Sequence, residues 1–219
     1  MRTRDRILDA SLQLFNEGGE RAVTTNHIAA NLGISPGNLY YHFRNKQAII
    51  AELFNRYEER VMSILALPEG RSIDTQDKLR YLKDVFAELW AYRFMHRDME
   101  HLLNADPALH DRYRLFFHHC LSQIERIFKA LNSAGIISAS DQDCQDLALN
   151  TWIVVTSWFS FLQCHLLSDS ESVITQNMLQ GGIYQVFSLE RPYLTPEHRE
   201  SVQALQEEFI PRPDWMKPQ

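Results

Sequence analysis

Residues 24–46 have the sequence TTNHIAANLGISPGNLYYHFRNK and predict two short helices joined by a tight turn. Either threonine at the start can accept a backbone N–H as the N-cap of a helix that runs through Leu32. Gly33 then offers the positive φ that the turn needs. Ser35 caps the second helix, and Pro36 occupies its first position, where a missing N–H carries no penalty. Two short helices joined by a glycine-containing turn form a helix-turn-helix, whose second helix fits the major groove of DNA.

Helices with apolar faces flank this stretch on both sides. The first covers about residues 4–17 and stops at a glycine pair, because apolar side chains recur there at helical spacing. Asn45 caps a fourth helix that begins at Lys46 and continues to a break at 68–70. Further apolar series with a helical period lie within residues 79–131, and no run of strand-like alternation is present. The sequence therefore predicts an all-α fold, with a three-helix N-terminal head and a larger C-terminal helical bundle.

A long apolar helix is predicted from Ser140, whose capping box with Asp143 marks its start, to near Leu167. No Asp, Glu, Lys or Arg occurs between Asp146 and Asp169, so the helix needs testing as a membrane span. Polar side chains interrupt it, and acids flank it instead of the basic residues expected on a cytoplasmic side. We therefore expect no membrane association and a helix buried in a bundle or an oligomer interface.

The composition is that of a soluble globular protein. The chain has 219 residues, of which 45% are hydrophobic and 23% charged, with 8 Gly and 8 Pro, which excludes collagen-like, low-complexity and largely disordered classes. Residues 1–50 hold six basic and four acidic side chains, whereas the remainder holds 16 and 24. A mildly basic head on an acidic body is typical of a DNA-binding module fused to another domain.

The cysteines and the N-terminus predict a cytoplasmic protein. Cys120, Cys144 and Cys164 are odd in number and widely spaced, which fits a reduced compartment and neither a disulfide framework nor a zinc ribbon. Residues 1–6 lead into an amphipathic run without the apolar segment or the cleavage site of a signal peptide.

The stretch 24–46 resembles the DNA-binding signature of the tetracycline-repressor (TetR) family. That signature has a threonine before Ile-Ala, then Gly-Val/Ile-Ser, Leu-Tyr, His-Phe and a lysine that opens the next helix. The residues that match it in register are Ile28, Ala29, Gly33, Ile34, Ser35, Leu39, Tyr40, His42, Phe43 and Lys46. The resemblance is specific over about residues 3–61 and extends beyond them as the family's all-helical plan. Residues 92–113 also resemble a subset of these regulators with a shared C-terminal domain.

The resemblance implies three parts of the chain. These are a helix-turn-helix DNA-binding domain at 1–61, a helical ligand-binding and dimerisation domain at 62–210 and a C-terminal tail at 211–219, with about nine to ten helices. The function implied is that of a sequence-specific transcriptional regulator, a ligand-responsive repressor. It would bind a palindromic operator in double-stranded DNA as a homodimer and respond to a small-molecule effector of unidentified class.

The resemblance and the side-chain chemistry together nominate a DNA-binding set. Its members are Thr24, Thr25, Asn26, Ser35, Pro36, Gly37, Asn38, Tyr40, Tyr41, His42 and Lys46. Hydroxyl groups and the Lys46 ammonium are expected to donate to phosphate oxygens, which sets register and affinity. Asn38, on the first turn of the recognition helix, suits a bidentate contact with adenine. The alternatives are a solvated Asn38, a Tyr40 packed on the first helix and a His42 that bonds only a backbone carbonyl.

Aromatic residues are dense in the C-terminal region, where the resemblance implies a ligand pocket. The residues nominated to line it are Trp90, Phe94, Phe116, Phe117, Trp152 and Trp158. Core packing is the alternative for each of them.

Two C-terminal helices, about 147–167 and 173–190, are expected to form a homodimer interface of four helices around a twofold axis. The pair Gly181-Gly182 would permit close helix approach there. The alternative is a glycine pair that only kinks its helix.

Three common enzyme signatures are lacking, and we predict no catalysis, no cofactor and no metal site. The sequence contains no Gly-rich phosphate loop, no His-Glu-x-x-His and no Cys-x-x-Cys. Metal-ligand residue types cluster at His118, His119 and Cys120, with His101 and His110 nearby. Cys120 falls on an apolar series, and adjacent histidines on a helix point about 100° apart. Two alternatives remain open: a metal- or ligand-dependent enzyme or sensor, and a helix-turn-helix used for protein interaction.

Overall fold

The computed structural model describes residues 2–166 and 174–210 of the chain. Within these ranges it contains ten α-helices and no β-strand, with one isolated bridge between Ile137 and Leu194. The predicted all-α fold is confirmed. The predicted tail at 211–219 lies outside the described residues.

The helices follow one another with short connections. They are α1 (Thr3–Gly18), α2 (Thr25–Leu32), α3 (Pro36–His42), α4 (Lys46–Ile64), α5 (Thr75–Ala91), α6 (Arg93–Ala105), α7 (Pro107–Ser133), α8 (Asp141–Leu166), α9 (Gln176–Glu190) and α10 (Pro196–Glu207), with a short 3-10 helix at Arg191–Tyr193.

Local side-chain chemistry begins and ends the N-terminal helices where the sequence predicts it. The Thr24 hydroxyl accepts the N–H of His27 at 3.2 Å, and the His27 ring accepts the N–H of Thr24 at 3.4 Å. Gly33 ends α2 with φ +65°. The Asn45 side chain accepts the N–H of Ala48 at 2.8 Å and so caps α4.

Contacts divide the chain into two compact units, each described by itself below. The first comprises residues up to 61 together with 92–115, and the second comprises 62–91 with the described residues from 116 onward. The sequence places 92–115 in the C-terminal domain, whereas by its contacts this segment belongs to the first unit.

Three contacts hold α6 against α1 in the first unit. Phe94 is fully buried, and its ring centroid lies 5.2 Å from that of Phe15. The N–H of Phe94 donates to Oδ1 of Asn16 at 3.1 Å. Nη2 of Arg97 donates to the carbonyl of Phe15 at 2.8 Å. Phe94, one of the residues nominated to line a pocket, thus packs between α1 and α6, as the alternative of core packing expects.

Helix α9 packs closely on α5 and α8 at Gly182, where it lacks a side chain. Gly182 is buried, and a Cβ at this position would lie 2.5 Å from Cζ of Phe86 on α5 and 2.9 Å from Cδ1 of Trp158 on α8. Nε1 of Trp158 donates to the carbonyl of Met178 at 3.2 Å. The glycine thus permits close approach within one chain, and Trp158 packs against α9, as the alternative of core packing expects.

An ion pair is buried between α5 and α9 in the same unit. The side chains of Lys78 and Glu190 are 7% and 1% exposed, and the ammonium contacts Oε2 of Glu190. Nζ of Lys78 also lies 4.5 Å from the ring centroid of Phe187. Burial lowers the pKa of Lys78. Removing either partner would leave the other charge buried and uncompensated, which is destabilising.

Helix α8 is long and apolar. By length and composition its segment Asp141–Cys164 could cross a membrane, and core helices of soluble proteins pass the same test. Within the chain, 39% of its most apolar 18-residue window is buried. The other residues of Asp141–Cys164 are half-buried or exposed.

Candidate nucleic-acid interface

The recognition helix α3 presents one face to solvent and buries the other. The Ser35 hydroxyl accepts the N–H of Asn38 at 3.2 Å, which caps the helix, and Leu39 on the inner face is fully buried. Tyr41 is 84% exposed. The nominated DNA-binding residues that are exposed are Thr24, Asn26, Ser35, Pro36, Gly37, Asn38, Tyr40 and Tyr41. This exposed face could therefore enter a groove that is wide enough to admit an α-helix.

Residues 33–37 have the Gly-x-Ser-x-Gly spacing that surrounds the nucleophilic serine of some hydrolases. In those enzymes the serine lies on a turn between a strand and a helix. Here Ser35 lies between two helices, and its hydroxyl is used as the cap of α3. The spacing therefore reflects helix capping.

Two tyrosines and their neighbours shape the edge of this face. The hydroxyls of Thr25 and Tyr40 lie 2.9 Å apart in a hydrogen bond that joins α2 to α3. The alternative for Tyr40, packing on the first helix, is not excluded by this bond. His42 is half-buried, with its ring edge-on to that of Tyr41 at a centroid distance of 5.1 Å. The imidazole thus restricts the orientation of the most exposed aromatic ring.

Lys46 is placed differently from the other nominated residues. Its Nζ lies 2.6 Å from Oε1 of Glu20 and donates to the carbonyls of Glu20 and Val23 at 3.0 and 3.1 Å. The Lys46 side chain is 21% exposed and that of Glu20 is 5% exposed. Two of the three N–H donors of the ammonium therefore bond backbone carbonyls, and the ammonium also pairs with the Glu20 carboxylate. The expected phosphate contact of Lys46 is in competition with bonds inside the chain.

Sequence reasoning missed Glu20, because no local pattern marks an acid that pairs with a lysine 26 positions away. It also missed Arg4, whose Nη1 donates to Oε1 of Glu52 at 2.9 Å and joins α1 to α4. This hydrogen bond lowers the pKa of Glu52. The first contact ties the loop before α2 to α4, and the second joins two helices that flank the helix-turn-helix.

A cavity of about 440 Å³ opens beside the Lys46 contacts within the first unit. Its lining residues are Glu20, Arg21, Lys46, Gln47, Ile50, His101, Leu102, Ala105, Asp106 and Leu109. None of the six aromatic residues nominated for a ligand pocket borders it. Oε2 of Glu20 lies 3.7 Å from Nε2 of His101 and has no hydrogen-bond partner.

Some of the nominated aromatic residues do meet, in the second unit. The ring centroid of Trp152 lies 6.0 Å from that of Phe116 and 5.3 Å from that of Phe117. Phe116 is buried, whereas Phe117, Trp152 and Trp90 are half-buried. These rings therefore pack on one another and keep partial access to solvent.

The histidine-cysteine cluster on α7 does not converge on one point. Cys120 is fully buried, while His118 and His119 are exposed. In the part of the chain that the structure describes, no group of three or more His, Cys, Asp or Glu side chains is placed to hold a metal ion.

Two family models match the chain. The model described as "Bacterial regulatory proteins, tetR family" matches residues 7–53, which include the helix-turn-helix. The TetR model described as "Bacterial transcriptional repressor" matches residues 56–202, more than half of the chain.

A solved structure shares the whole fold. The chain is 52% identical to a TetR-family transcriptional regulator from Marinobacter aquaeolei VT8, over 96% of this chain and 100% of that one, with a TM-score of 0.88. The curated relatives match over shorter segments. The uncharacterized HTH-type transcriptional regulator YvkB of Bacillus subtilis (strain 168) is 38% identical over 68 residues, 31% of this chain and 36% of that protein. The HTH-type transcriptional regulator UidR of Escherichia coli (strain K12) is 38% identical over 61 residues, 28% of this chain and 31% of that protein. The matches therefore span about a third of the length of these two relatives.

Proposed function

Since the chain belongs to the TetR family of bacterial transcriptional regulators, we propose that it is a ligand-responsive repressor that binds a palindromic operator as a homodimer. The observation that carries the proposal is the recognition helix α3. Its cap at Ser35 and its buried Leu39 fix it to the head, while Asn38 and Tyr41 face outward. Catalysis and a resident cofactor are not part of the proposal, and the location proposed is the cytoplasm.

The first turn of α3 is proposed to read base edges in the major groove. Asn38 would donate to and accept from one adenine, because its amide matches the N6 and N7 pattern of that base. Pro36 and Gly37 have little or no side chain beyond the backbone, which allows close approach to the groove floor. The exposed ring of Tyr41 would contact a thymine methyl group. These contacts would determine which sequences are preferred.

Residues at the rim would bind the DNA backbone and set the register. The proposed phosphate contacts are Thr24, Thr25, Asn26, Ser35, Tyr40, His42 and Lys46. The start of α2 adds backbone N–H groups that lack partners within the helix. The Thr25–Tyr40 hydrogen bond would hold two of these groups at a fixed spacing.

Helices α8 and α9 are proposed to form the homodimer interface, over the described parts of 147–167 and 173–190. Leu149 and Ile153 lie one turn apart on α8 and are 43% and 51% exposed. Together with the low burial of the rest of the apolar window, this leaves a stripe that a second copy would cover. A twofold pairing would place two recognition helices on one operator, about one turn of DNA or a small multiple apart.

The effector site is proposed near Phe117 and Trp152, where half-buried rings meet in the second unit. Effector binding would change the spacing of the two heads. A coupling free energy of about 1–3 kcal/mol corresponds to a 5–150-fold loss of operator affinity. That change is sufficient to release a promoter.

Fluorescence anisotropy of the purified protein tests the proposal. The probe is duplex DNA from upstream of the protein's own gene, compared with a scrambled duplex at two salt concentrations. We expect a preference of about 10³-fold or more for the native duplex, the lower end of the range for specific binding. Salt-sensitive binding without preference would move the operator elsewhere. Absence of salt-dependent binding to any duplex would favour a helix-turn-helix that contacts protein.

A further inference from the structure

We propose that the cavity of the first unit binds a neutral small molecule with an aliphatic body and a hydroxyl or amide donor, which bonds Oε2 of Glu20. The cavity has a volume of about 440 Å³, within the range of roughly 300–1,000 Å³ for small-molecule sites. It belongs to a different unit from the effector site proposed near Phe117 and Trp152. Its occupant is therefore a second ligand, whose binding does not depend on the proposed function.

One carboxylate oxygen of Glu20 lacks a partner at the wall of this cavity. The Glu20 side chain is 5% exposed, and its Oε1 lies 2.6 Å from Nζ of Lys46. Its Oε2 is buried and has no hydrogen-bond partner among the described residues. Nε2 of His101, which also lines the cavity, lies 3.7 Å from Oε2, too far for a hydrogen bond. Because a buried acceptor without a donor is unfavourable, a ligand that supplies the donor gains affinity.

His101 can give a ligand access to this oxygen. Its side chain is 41% exposed, so the ring can turn toward solvent without disturbing the core. Three buried aliphatic side chains, Ile50, Leu102 and Leu109, supply the apolar part of the lining. An aliphatic ligand body would contact these side chains while its donor reaches Glu20.

The charges that line the cavity favour a neutral ligand. Glu20 and Asp106 are acidic, whereas Arg21 and Lys46 are basic, so their formal charges balance. The Lys46 ammonium already compensates the Glu20 carboxylate. A cationic ligand at Oε2 would be repelled by that ammonium, and an anionic ligand would be repelled by the carboxylate. A hydroxyl or an amide N–H supplies the missing bond without burying an uncompensated charge.

Four probes of equal chain length separate the ligand classes on the full chain. They are hexanamide, methyl hexanoate, hexylammonium and hexanoate, titrated while the methyl NMR signals of Ile50 and Leu102 are followed. Hexanamide is expected to bind about tenfold more tightly than methyl hexanoate, because the ester leaves Oε2 without a donor. Each ion is expected to bind about tenfold more weakly than hexanamide, because it adds an uncompensated charge. Equal affinity for the amide and the ester, or tighter binding of either ion, would overturn the proposal.

Ala105→Trp tests the place of binding. Ala105 is exposed and lines the cavity, so an indole at this position would occupy cavity volume without entering the core. The variant is expected to abolish the shifts that hexanamide causes. Ala108→Trp is the matched control, because Ala108 is an exposed alanine of the same unit outside the lining, and it is expected to keep the wild-type affinity. Equal affinities of the two variants would place binding elsewhere and overturn the site.

Glu20→Gln tests the carboxylate. The substitution removes the anion that compensates Lys46, so the lining acquires a positive charge. The preference for hexanamide over hexanoate is expected to fall by about tenfold, because an anion is then attracted instead of repelled. An unchanged preference would show that Glu20 does not face the ligand. Should this variant not fold, Glu20→Asp keeps the charge but withdraws the oxygen, and the preference for hexanamide over methyl hexanoate is expected to fall.

Discussion

Gly182 lies where α9 passes closest to Phe86 and Trp158, so replacing it with alanine is expected to destabilise the second unit. The added Cβ would lie 2.5 Å from Cζ and 2.6 Å from Cε1 of Phe86, and 2.9 Å from Cδ1 of Trp158. Carbon atoms at optimal separation are about 3.5–4.0 Å apart. Phe86 is 1% exposed and Trp158 is 8% exposed, so neither ring can turn aside into solvent.

The net effect is the difference between two terms. Forcing an extra methyl into a packed core costs about 1–3 kcal/mol. Replacing glycine with alanine inside a helix stabilises the folded state by about 0.5–1 kcal/mol, because the unfolded chain has less backbone entropy. Since the contacts at Gly182 are with ring atoms of buried side chains, the first term is expected to dominate. The variant should lose about 1–2 kcal/mol of unfolding free energy.

Urea unfolding followed by circular dichroism measures this loss. Gly37→Ala is the control, because the nearest atom to its Cβ would be the Ser35 hydroxyl at 3.9 Å. That variant is expected to gain up to about 1 kcal/mol. Adding Phe86→Leu to Gly182→Ala removes the ring atoms in conflict. The double variant should therefore lose less unfolding free energy than the sum of the two single losses. A Gly182→Ala protein as stable as the wild type would refute the close packing of α9 on α5.

Further predictions concern DNA preference, assembly and burial. Asn38→Ala is expected to cost about 1–3 kcal/mol of discrimination at one base pair of each half-site, and unchanged preference in a selection from randomised duplexes would remove it from the base-reading set. Ile153→Glu is expected to yield a monomer in sedimentation, whereas a persistent dimer would place the interface elsewhere. Lys78→Met leaves the Glu190 carboxylate buried without its partner and should cost about 3–5 kcal/mol in urea unfolding, a value that a loss below about 1 kcal/mol would contradict. Burial lowers the pKa of His96 from 6.5 to about 4, so the unfolded chain binds more protons in that interval and stability should fall as the pH decreases through it. His96→Phe should flatten this pH dependence of urea unfolding, and an unaltered profile would assign it to other groups.

The sequence was sufficient wherever the decisive interaction is local. Ser35 and Asn45 cap helices three residues ahead, and Gly33 supplies a positive φ at one position. Such features depend on side-chain chemistry and spacing within a single turn. For that reason the bounds of α2 and α3, and with them the position of Asn38 on an exposed first turn, could be predicted from residues alone.

The sequence was insufficient wherever the decisive partner is distant. Phe94 meets α1 through a hydrogen bond to Asn16, which lies 78 positions earlier. An aromatic residue in an apolar series is equally suited to a core and to a pocket. Its type and spacing therefore do not show which of the two it occupies. Lys46 matches its family position in register, yet its ammonium pairs with Glu20, an acid whose proximity helical periodicity alone does not predict.

Ion pairing within the chain affects how strongly a single N-terminal head is expected to bind DNA. Arg4 is bonded to Glu52 and Lys46 to Glu20, so part of the basic character of residues 1–50 is neutralised inside the chain. One head is then expected to show a shallow salt dependence and weak affinity, because backbone affinity grows with the number of phosphates neutralised. Two heads joined through a dimer bind one operator with an effective concentration that raises affinity by about 10²–10⁴ without new contacts. The monomeric Ile153→Glu variant is therefore expected to lose operator affinity by far more than a factor of two, and a loss of only twofold would show that a single head suffices.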